Sequence, residues 1–181
     1  MQDDREIIIG LKTKEGRSLA FSALVSKYKE RLYWHIRKIV ISHDDTDDVL
    51  QNTFMKVWNS IDGFREESGL YTWLYRIATN EAITHLNQAK KRSVLGINDV
   101  SEYLIGTLHS DPYFDGDEIQ MQLQEAIAAL PEKQRLVFNM KYFDEMKYQD
   151  MSEILDTSVG ALKASYHHAV KKIEDHFKSV E

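Results

Sequence analysis

A chain of 181 residues with a formal net charge of −6 and no cysteine has room for one domain or two small ones, and it excludes disulfides and thiolate metal sites. Its apolar content supports a packed core, and no apolar run approaches the roughly 20 residues of a membrane span. The start, with Asp3, Asp4 and Glu6 ahead of Ile7-Ile8-Ile9, lacks the basic opening of a secretion signal. The acid surplus argues against a protein that grips nucleic acid strongly by itself, because such proteins carry a basic excess. With two prolines, eight glycines and little β-branched alternation, the expected class is all-α, in a reducing cytoplasm.

In chain order, residues 18–40 place Phe21, Leu24, Val25, Tyr28, Leu32, Ile36 and Ile39 at three- and four-residue steps, the stripe of an amphipathic helix. A second helix begins in the cluster Asp44, Asp45, Asp47 and Asp48, where carboxylates suit the positive end of a helix dipole. Its expected buried face is Leu50, Phe54, Val57, Trp58 and Ile61. On the other side lie Asp48, Gln51, Asn52 and Met55, with Asp47 at the edge. This is either a protein-docking surface or a plain solvated face.

A glycine-bracketed loop, residues 62–69, leads into a helix expected over 70–88 and packed through Leu74, Ile77 and Ala78, with Leu86 a further candidate. Tyr71 and Tyr75 are one turn apart, as are Thr72, Arg76 and Asn80. With Phe64, Arg65 and Trp73 nearby, they are expected to form a polar-aromatic face. Aromatics interleaved with cations suit unpaired bases, each of which offers a π-face and a phosphate; core packing is the competing reading, strongest for Trp73.

Residues 93–116 lose the helical period. From Ser93 to Ile119 the chain holds Asp99, Glu102, Asp111, Asp115, Asp117 and Glu118 and neither lysine nor arginine. The expectation is a flexible acidic linker between two small helical domains, residues 1–92 and 117–181. Helical pattern resumes with Ile119, Leu123, Ile127 and Leu130, and Pro131 suits the first position of a new helix. An apolar run to Phe143, a short amphipathic segment (148–155), a break at Asp156-Thr157 and a long helix from Ser158 have the layout of a helix-turn-helix. The last helix has its core stripe at Val159, Leu162, Tyr166, Ala169, Ile173 and Phe177. It is free of acids over residues 158–173. Ser158, Gly160, Lys163, Ser165, His167, His168 and Lys171 are the candidates to approach a DNA groove, small residues allowing close contact and the cations reaching phosphate. A plain surface helix is the alternative.

Nothing in the sequence suggests catalysis. His167 and His168 are adjacent and diverge on a helix, unlike the i, i+4 pairs of metal-binding helices. No phosphate loop or paired-carboxylate constellation is evident, so no enzyme, metal or cofactor is expected.

Taken in order, three segments resemble the extracytoplasmic-function group of sigma-70 factors, the bacterial RNA polymerase initiation subunits. Asp47-Asp48-Val49-Leu50-Gln51-Asn52-Thr53-Phe54-Met55-Lys56-Val57-Trp58 resembles the polymerase-binding helix of region 2. Phe64-Arg65 with Tyr71-Thr72-Trp73-Leu74-Tyr75-Arg76-Ile77-Ala78-Thr79-Asn80 resembles the promoter-melting segment. Leu130-Pro131-Glu132-Lys133-Gln134-Arg135 and Ser158-Val159-Gly160-Ala161-Leu162-Lys163 resemble region 4.

The resemblance implies that Asp47, Asp48, Gln51, Asn52 and Met55 dock on the β′ clamp of core RNA polymerase, with the β flap a further contact. It implies that Phe64, Arg65, Tyr71, Thr72, Tyr75, Arg76 and Asn80 hold the unpaired minus-ten element, including a flipped base. Promoter DNA at the minus-thirty-five element would take the recognition helix, and a separate anti-sigma factor would supply regulation, without membrane insertion. The acidic linker would thread a channel built for RNA, its charge imitating a nucleic-acid backbone. Two departures stand out: Asp156 occupies a turn position often held by glycine, and Ser165 and His168 stand where many relatives carry arginine, so fewer bidentate guanine contacts are available. A stand-alone helix-turn-helix regulator with an N-terminal dimerisation or sensor domain is the second reading, and a protein-only helical adaptor the third.

Overall fold

The computed structural model describes residues 3–92 and 100–180. Among them the chain forms nine α-helices and a single 3₁₀ turn. In order these are α1 (Asp4–Leu11), α2 (Arg17–Val40), α3 (His43–Ser60), the 3₁₀ turn (Ile61–Gly63), α4 (Leu70–Arg92), α5 (Val100–Ser110), α6 (Glu118–Ala128), α7 (Glu132–Tyr142), α8 (Tyr148–Leu155) and α9 (Val159–Val180).

The N-terminal half is a bundle of α2, α3 and α4, with α1 laid on α2. Leu24, Leu32, Ile36, Leu74 and Ala78 are fully buried in it. α1 begins ahead of the first expected helix. It buries Ile7 and Leu11, and Asp4 binds the Lys27 ammonium at 2.7 Å and accepts from the Tyr28 hydroxyl at 2.7 Å. That bond and burial, with burial the larger cause, push the Tyr28 phenol well above its usual range. Ser42 caps α3 by accepting from the Asp45 amide at 3.2 Å, ahead of a carboxylate-rich first turn.

The buried face of α3 differs from the expected one. Thr46, Val49, Thr53 and Val57 are buried, whereas Leu50 and Phe54 are half-buried and Trp58 is exposed. Two threonines can line the core because each hydroxyl bonds its own helix: Thr46 donates to the Ser42 carbonyl at 2.6 Å and Thr53 to that of Val49 at 2.7 Å. With its polar atom satisfied, threonine packs like a β-branched hydrocarbon. The larger apolar residues are thereby displaced towards the α2 edge.

The expected linker also contains structure. Residues 100–110 form α5, whose Leu104 and Leu108 are buried. The Val100, Leu104, Leu108 spacing is a helical stripe. Glycine and acid content masked it. Asp111, just beyond, forms an ion pair with Arg37 of α2, and both side chains are largely buried. Asp117 caps α6 by accepting from the Gln120 amide at 2.8 Å. Two of the six acids expected to imitate a nucleic-acid backbone therefore have structural partners. Asp99 lies outside the described residues.

In the C-terminal half α9 packs on α6, α7 and α8. Ile127, Leu130, Phe138, Ala169 and Ile173 form its own core cluster. Pro131 caps α7 rather than opening it, one position earlier than expected. Buried Arg135 donates to the Leu130 carbonyl at 2.9 Å and so holds the α6–α7 corner. Asp156 ends α8 in the left-handed region, at φ 47° and ψ 52°. An L-residue pays roughly 1–2 kcal/mol there that glycine does not. Asp156→Gly is therefore expected to stabilise the protein by about 1 kcal/mol, a rise of roughly 2–4 °C in Tm for a chain of this size, measured by thermal unfolding; no rise would mean that the Asp156 side chain contributes as much as the strain costs.

A seam joins the two halves. His35 of α2, 1% exposed, places Nε2 2.8 Å from the Thr79 hydroxyl and Nδ1 3.1 Å from Asp144 in the α7–α8 turn. Thr79 spends its one hydroxyl proton on the Tyr75 carbonyl at 2.7 Å, so it accepts from His35. Both ring nitrogens then face acceptors. Asp144 also takes the Lys38 ammonium at 2.6 Å. Burial alone would raise the Asp144 carboxyl; the hydrogen bonds and charges of His35 and Lys38 outweigh it and hold the group below the usual carboxylate range. Asn139 donates to the Lys38 carbonyl at 3.1 Å, and the Arg76 guanidinium donates to the Glu153 carbonyl of α8 at 2.5 and 3.0 Å.

Candidate nucleic-acid and partner interfaces

The first candidate surface lies on α3. Asp47, Asp48, Gln51, Asn52 and Met55 are all exposed along one side of the helix. Turning Thr53 and Val57 inward leaves Phe54 and Trp58 beside them. Together with Phe21 and Val25 of α2 these line a groove of about 390 Å³ that also includes Gln51, Met55 and Asn59. Trp58 meets the edge of Phe21 at 4.9 Å. An acidic strip thus borders an apolar groove, which suits a partner presenting both cations and an apolar ridge. The sequence reading found the strip and missed the groove, because Phe54 and Trp58 were assigned to the core.

The second surface combines the 62–69 loop with α4. Arg65, Arg76 and Asn80 are exposed and Tyr71 is half-buried, as a nucleic-acid face needs. Phe64, Thr72 and Tyr75, expected to face outward, are instead buried at 7%, 4% and 4% exposure. Phe64 packs on Trp73 at 4.8 Å, and Tyr75 lies against the ring of His35 at 4.7 Å and that of Tyr71 at 4.3 Å. Burial, chiefly, pushes both tyrosine hydroxyls up, Tyr75 the further. A one-turn spacing puts residues on one strip of a helix without saying whether a neighbouring helix covers it, and that is what decides Tyr75. The loop and α4 enclose a hollow of about 410 Å³ lined by Gly63, Phe64, Arg65, Trp73 and Arg76, closed on one side by Glu153 of α8. Glu66, Glu67 and Ser68 complete its wall and were not singled out from the sequence. Glu66 adopts φ 58° and pairs with Lys12, which ties the loop to the end of α1.

The third surface is the start of α9. Leu162, Ala169 and Ile173 face inward, while Ser158, Gly160, Lys163, His167, His168 and Lys171 are exposed and Ser165 is half-buried. Ser158 accepts from the Ala161 amide at 3.3 Å and so starts the helix. A Cβ built on Gly160 would meet nothing within 4 Å, so the helix presents an open, shallow face there. Ala161 and Ala164 share that exposed stretch and were missed, being too small to stand out in sequence. Lys163 is held outward over the Tyr148 ring, 5.8 Å from its centroid.

Among the described residues no group of three or more His, Asp or Glu side chains is placed to hold a metal ion, and no helix is long and apolar enough to cross a membrane.

Comparison with known proteins gives consistent matches. Residues 24–92 match the Sigma-70 region 2 family and residues 120–173 the Sigma-70, region 4 family. The chain is 32% identical to an ECF RNA polymerase sigma-E factor of Haemophilus influenzae over 91% of its own length and 90% of that protein. It is 29% identical to the ECF RNA polymerase sigma factor SigW of Bacillus subtilis over 85% and 87% of the two chains. In fold it is similar to CnrH in complex with the cytosolic domain of CnrY, with a TM-score of 0.69 at 19% identity, covering 98% of this chain and 99% of that one. It is also similar to the sigma factor RpoE in complex with the anti-sigma factor NepR from Bartonella quintana, with a TM-score of 0.65 at 21% identity, covering 87% and 96%.

Proposed function

This chain belongs to the extracytoplasmic-function group of the sigma-70 family and is an RNA polymerase sigma factor, and on that premise we propose how its three surfaces divide the work. The exposed face Asp47, Asp48, Gln51, Asn52 and Met55 of α3 docks on the β′ clamp of core polymerase. The loop residues Phe64 and Arg65, with Tyr71, Thr72, Tyr75, Arg76 and Asn80 of α4, hold the unpaired minus-ten strand. In that role the exposed Tyr71 edge, Arg65, Arg76 and Asn80 touch nucleic acid, whereas Phe64, Thr72 and Tyr75 support them from beneath. The Ser158, Gly160, Lys163, Ser165, His167, His168 and Lys171 face of α9 enters the major groove at the minus-thirty-five element, while the C-terminal half meets the β flap. A separate anti-sigma protein regulates the chain, which acts where polymerase is, in the cytoplasm.

The observation that carries this division is the sorting of surface charge in a chain of net charge −6. Exposed Asp44, Asp47 and Asp48 cluster on α3, and α9 keeps its outward face free of acid through Ile173. One acidic and one basic surface on a single small protein call for two partners of opposite charge. Family membership leaves the stand-alone regulator without support.

Run-off transcription with core polymerase and a promoter library tests it. Transcripts are expected only with chain and core together, and weakened on Lys163→Ala mainly at promoters that depend on the minus-thirty-five element. Equal loss at promoters lacking that element would remove α9 from the role assigned to it.

A further inference from the structure

The corner between α1 and α2 lies ahead of the residues that match region 2, yet it is tied to the 62–69 loop on both sides of Arg65. On one side Arg17, the first residue of α2, pairs with Asp62, one of its nitrogens donating at 3.3 Å. On the other side Lys12, which closes α1, pairs with Glu66. Between the two acids stand Gly63, Phe64 and Arg65. Phe64 is fastened from within, its ring on Trp73 at 4.8 Å and its amide donating to the Ile61 carbonyl at 3.1 Å. The outer holds on the loop come from the corner.

A tie positions a loop only if its other end is fixed, and this corner is. Ile7 and Leu11 are fully buried, and a Cβ built on Gly10 would stand 2.7 Å from that of Ala20, so α1 and α2 touch closely. The Thr13 hydroxyl donates to the Gly10 carbonyl at 3.0 Å and accepts from the Gly16 amide at 3.1 Å. Arg17 itself donates through Nε to the Leu11 carbonyl at 3.1 Å. The loop has less of its own to hold it. Glu66 sits at φ 58°, a region that costs an L-residue energy, so its conformation depends on what surrounds it.

We propose that the α1–α2 corner is a positioning part of the minus-ten site: Lys12 and Arg17 hold the loop at Glu66 and Asp62, and so set the wall of the hollow that receives an unpaired base and the aim of Arg65. The proposal rests on the minus-ten reading above. Lys12 and Arg17 touch no base and act through the loop. A hollow discriminates among bases only while its wall keeps its place, since a wall that relaxes admits the wrong base. An exposed ion pair shifts an equilibrium by a factor of up to about five, which sets the size of the effect.

The test uses the chain bound to core polymerase and forked promoter DNA with an unpaired minus-ten strand, each of the four bases being placed in turn at every unpaired position. The wild type should prefer one base at the position that enters the hollow. Lys12→Ala with Arg17→Ala should shrink that preference by about 3- to 10-fold, while affinity for duplex DNA carrying only the minus-thirty-five element stays within about twofold. Lys12→Arg, which keeps the charge, should keep the preference. In the free chain the double alanine variant should speed hydrogen exchange at the Phe64 amide by about fivefold or more and leave the amide of buried Ala78 in α4 unchanged, because only the loop loosens. An unchanged preference, or an affinity loss equal for all four bases, would overturn the proposal. So would equal acceleration at Phe64 and Ala78, which would make the two pairs general supports of the bundle. A wild type without preference at any unpaired position would instead remove the minus-ten reading, while faster exchange at Phe64 would still show that the corner holds the loop.

Discussion

Replacing Tyr71 and Arg76 together with alanine is expected to slow promoter opening by about 10- to 100-fold while leaving affinity for core polymerase within about twofold. A base stacked on an aromatic ring is worth about 1–3 kcal/mol, and every 1.4 kcal/mol is a factor of ten. Tyr71 is the half-exposed ring on this face, and Arg76 is the cation one turn and a residue beyond it, lining the hollow beneath the loop. Neither touches the α3 strip, so docking on polymerase should survive. Arg76→Ala also removes the bond to Glu153 and so loosens the seam. The measurement therefore belongs in a preassembled complex with core, with binding to core scored separately; permanganate reactivity of unpaired thymines reports opening directly. Normal opening by the double variant would show that α4 does not hold the melted strand.

Charge reversal at Asp48 is expected to have the opposite signature. Asp48→Lys should weaken binding to core polymerase by at least about tenfold, since a like charge placed opposite a basic partner costs several kcal/mol, and the wild-type affinity should fall with salt as that contact is screened. Asp48 is exposed, so the fold should tolerate the change. Asp44→Lys provides the control: it reverses a charge in the same cluster but outside the proposed face, and a much smaller loss is expected. Competition for core against a labelled second sigma factor measures both. Equal losses would mean that general acidity, rather than this face, carries the docking.

The sequence and the tertiary structure divide the explanation unevenly. Helices such as α8, found at Tyr148–Leu155 where the sequence reading put it, were legible because a 3.6-residue apolar period is a local property of the chain. The acid-free face of α9 and the exposed acids of α3 were legible for the same reason, since charge is written residue by residue. α5 was not, because a stripe of three apolar residues, Val100, Leu104 and Leu108, was outweighed by the glycines and acids around it, and only docking against α4 and α6 makes it part of a core. The inward turn of Thr46 and Thr53 was not legible either: threonine reads as polar until its hydroxyl is seen to bond the preceding turn.

By itself, then, the sequence determined the all-α class and which helix carries which charge, both of which follow from local periodicity and composition, and the order of the two sigma regions, which came from the resemblance of its segments to a known family. Only the tertiary structure decided which residues of those helices are free to act. Burial depends on what a distant segment lays across a helix. Tyr75 is taken inward by His35, 40 positions earlier in the chain, and Arg76 is occupied by Glu153, 77 positions later. No pattern within a helix encodes that cover, which is why the contacts of Asp144 with His35 and Lys38, and of Arg76 with Glu153, emerge only when the two halves are seen together.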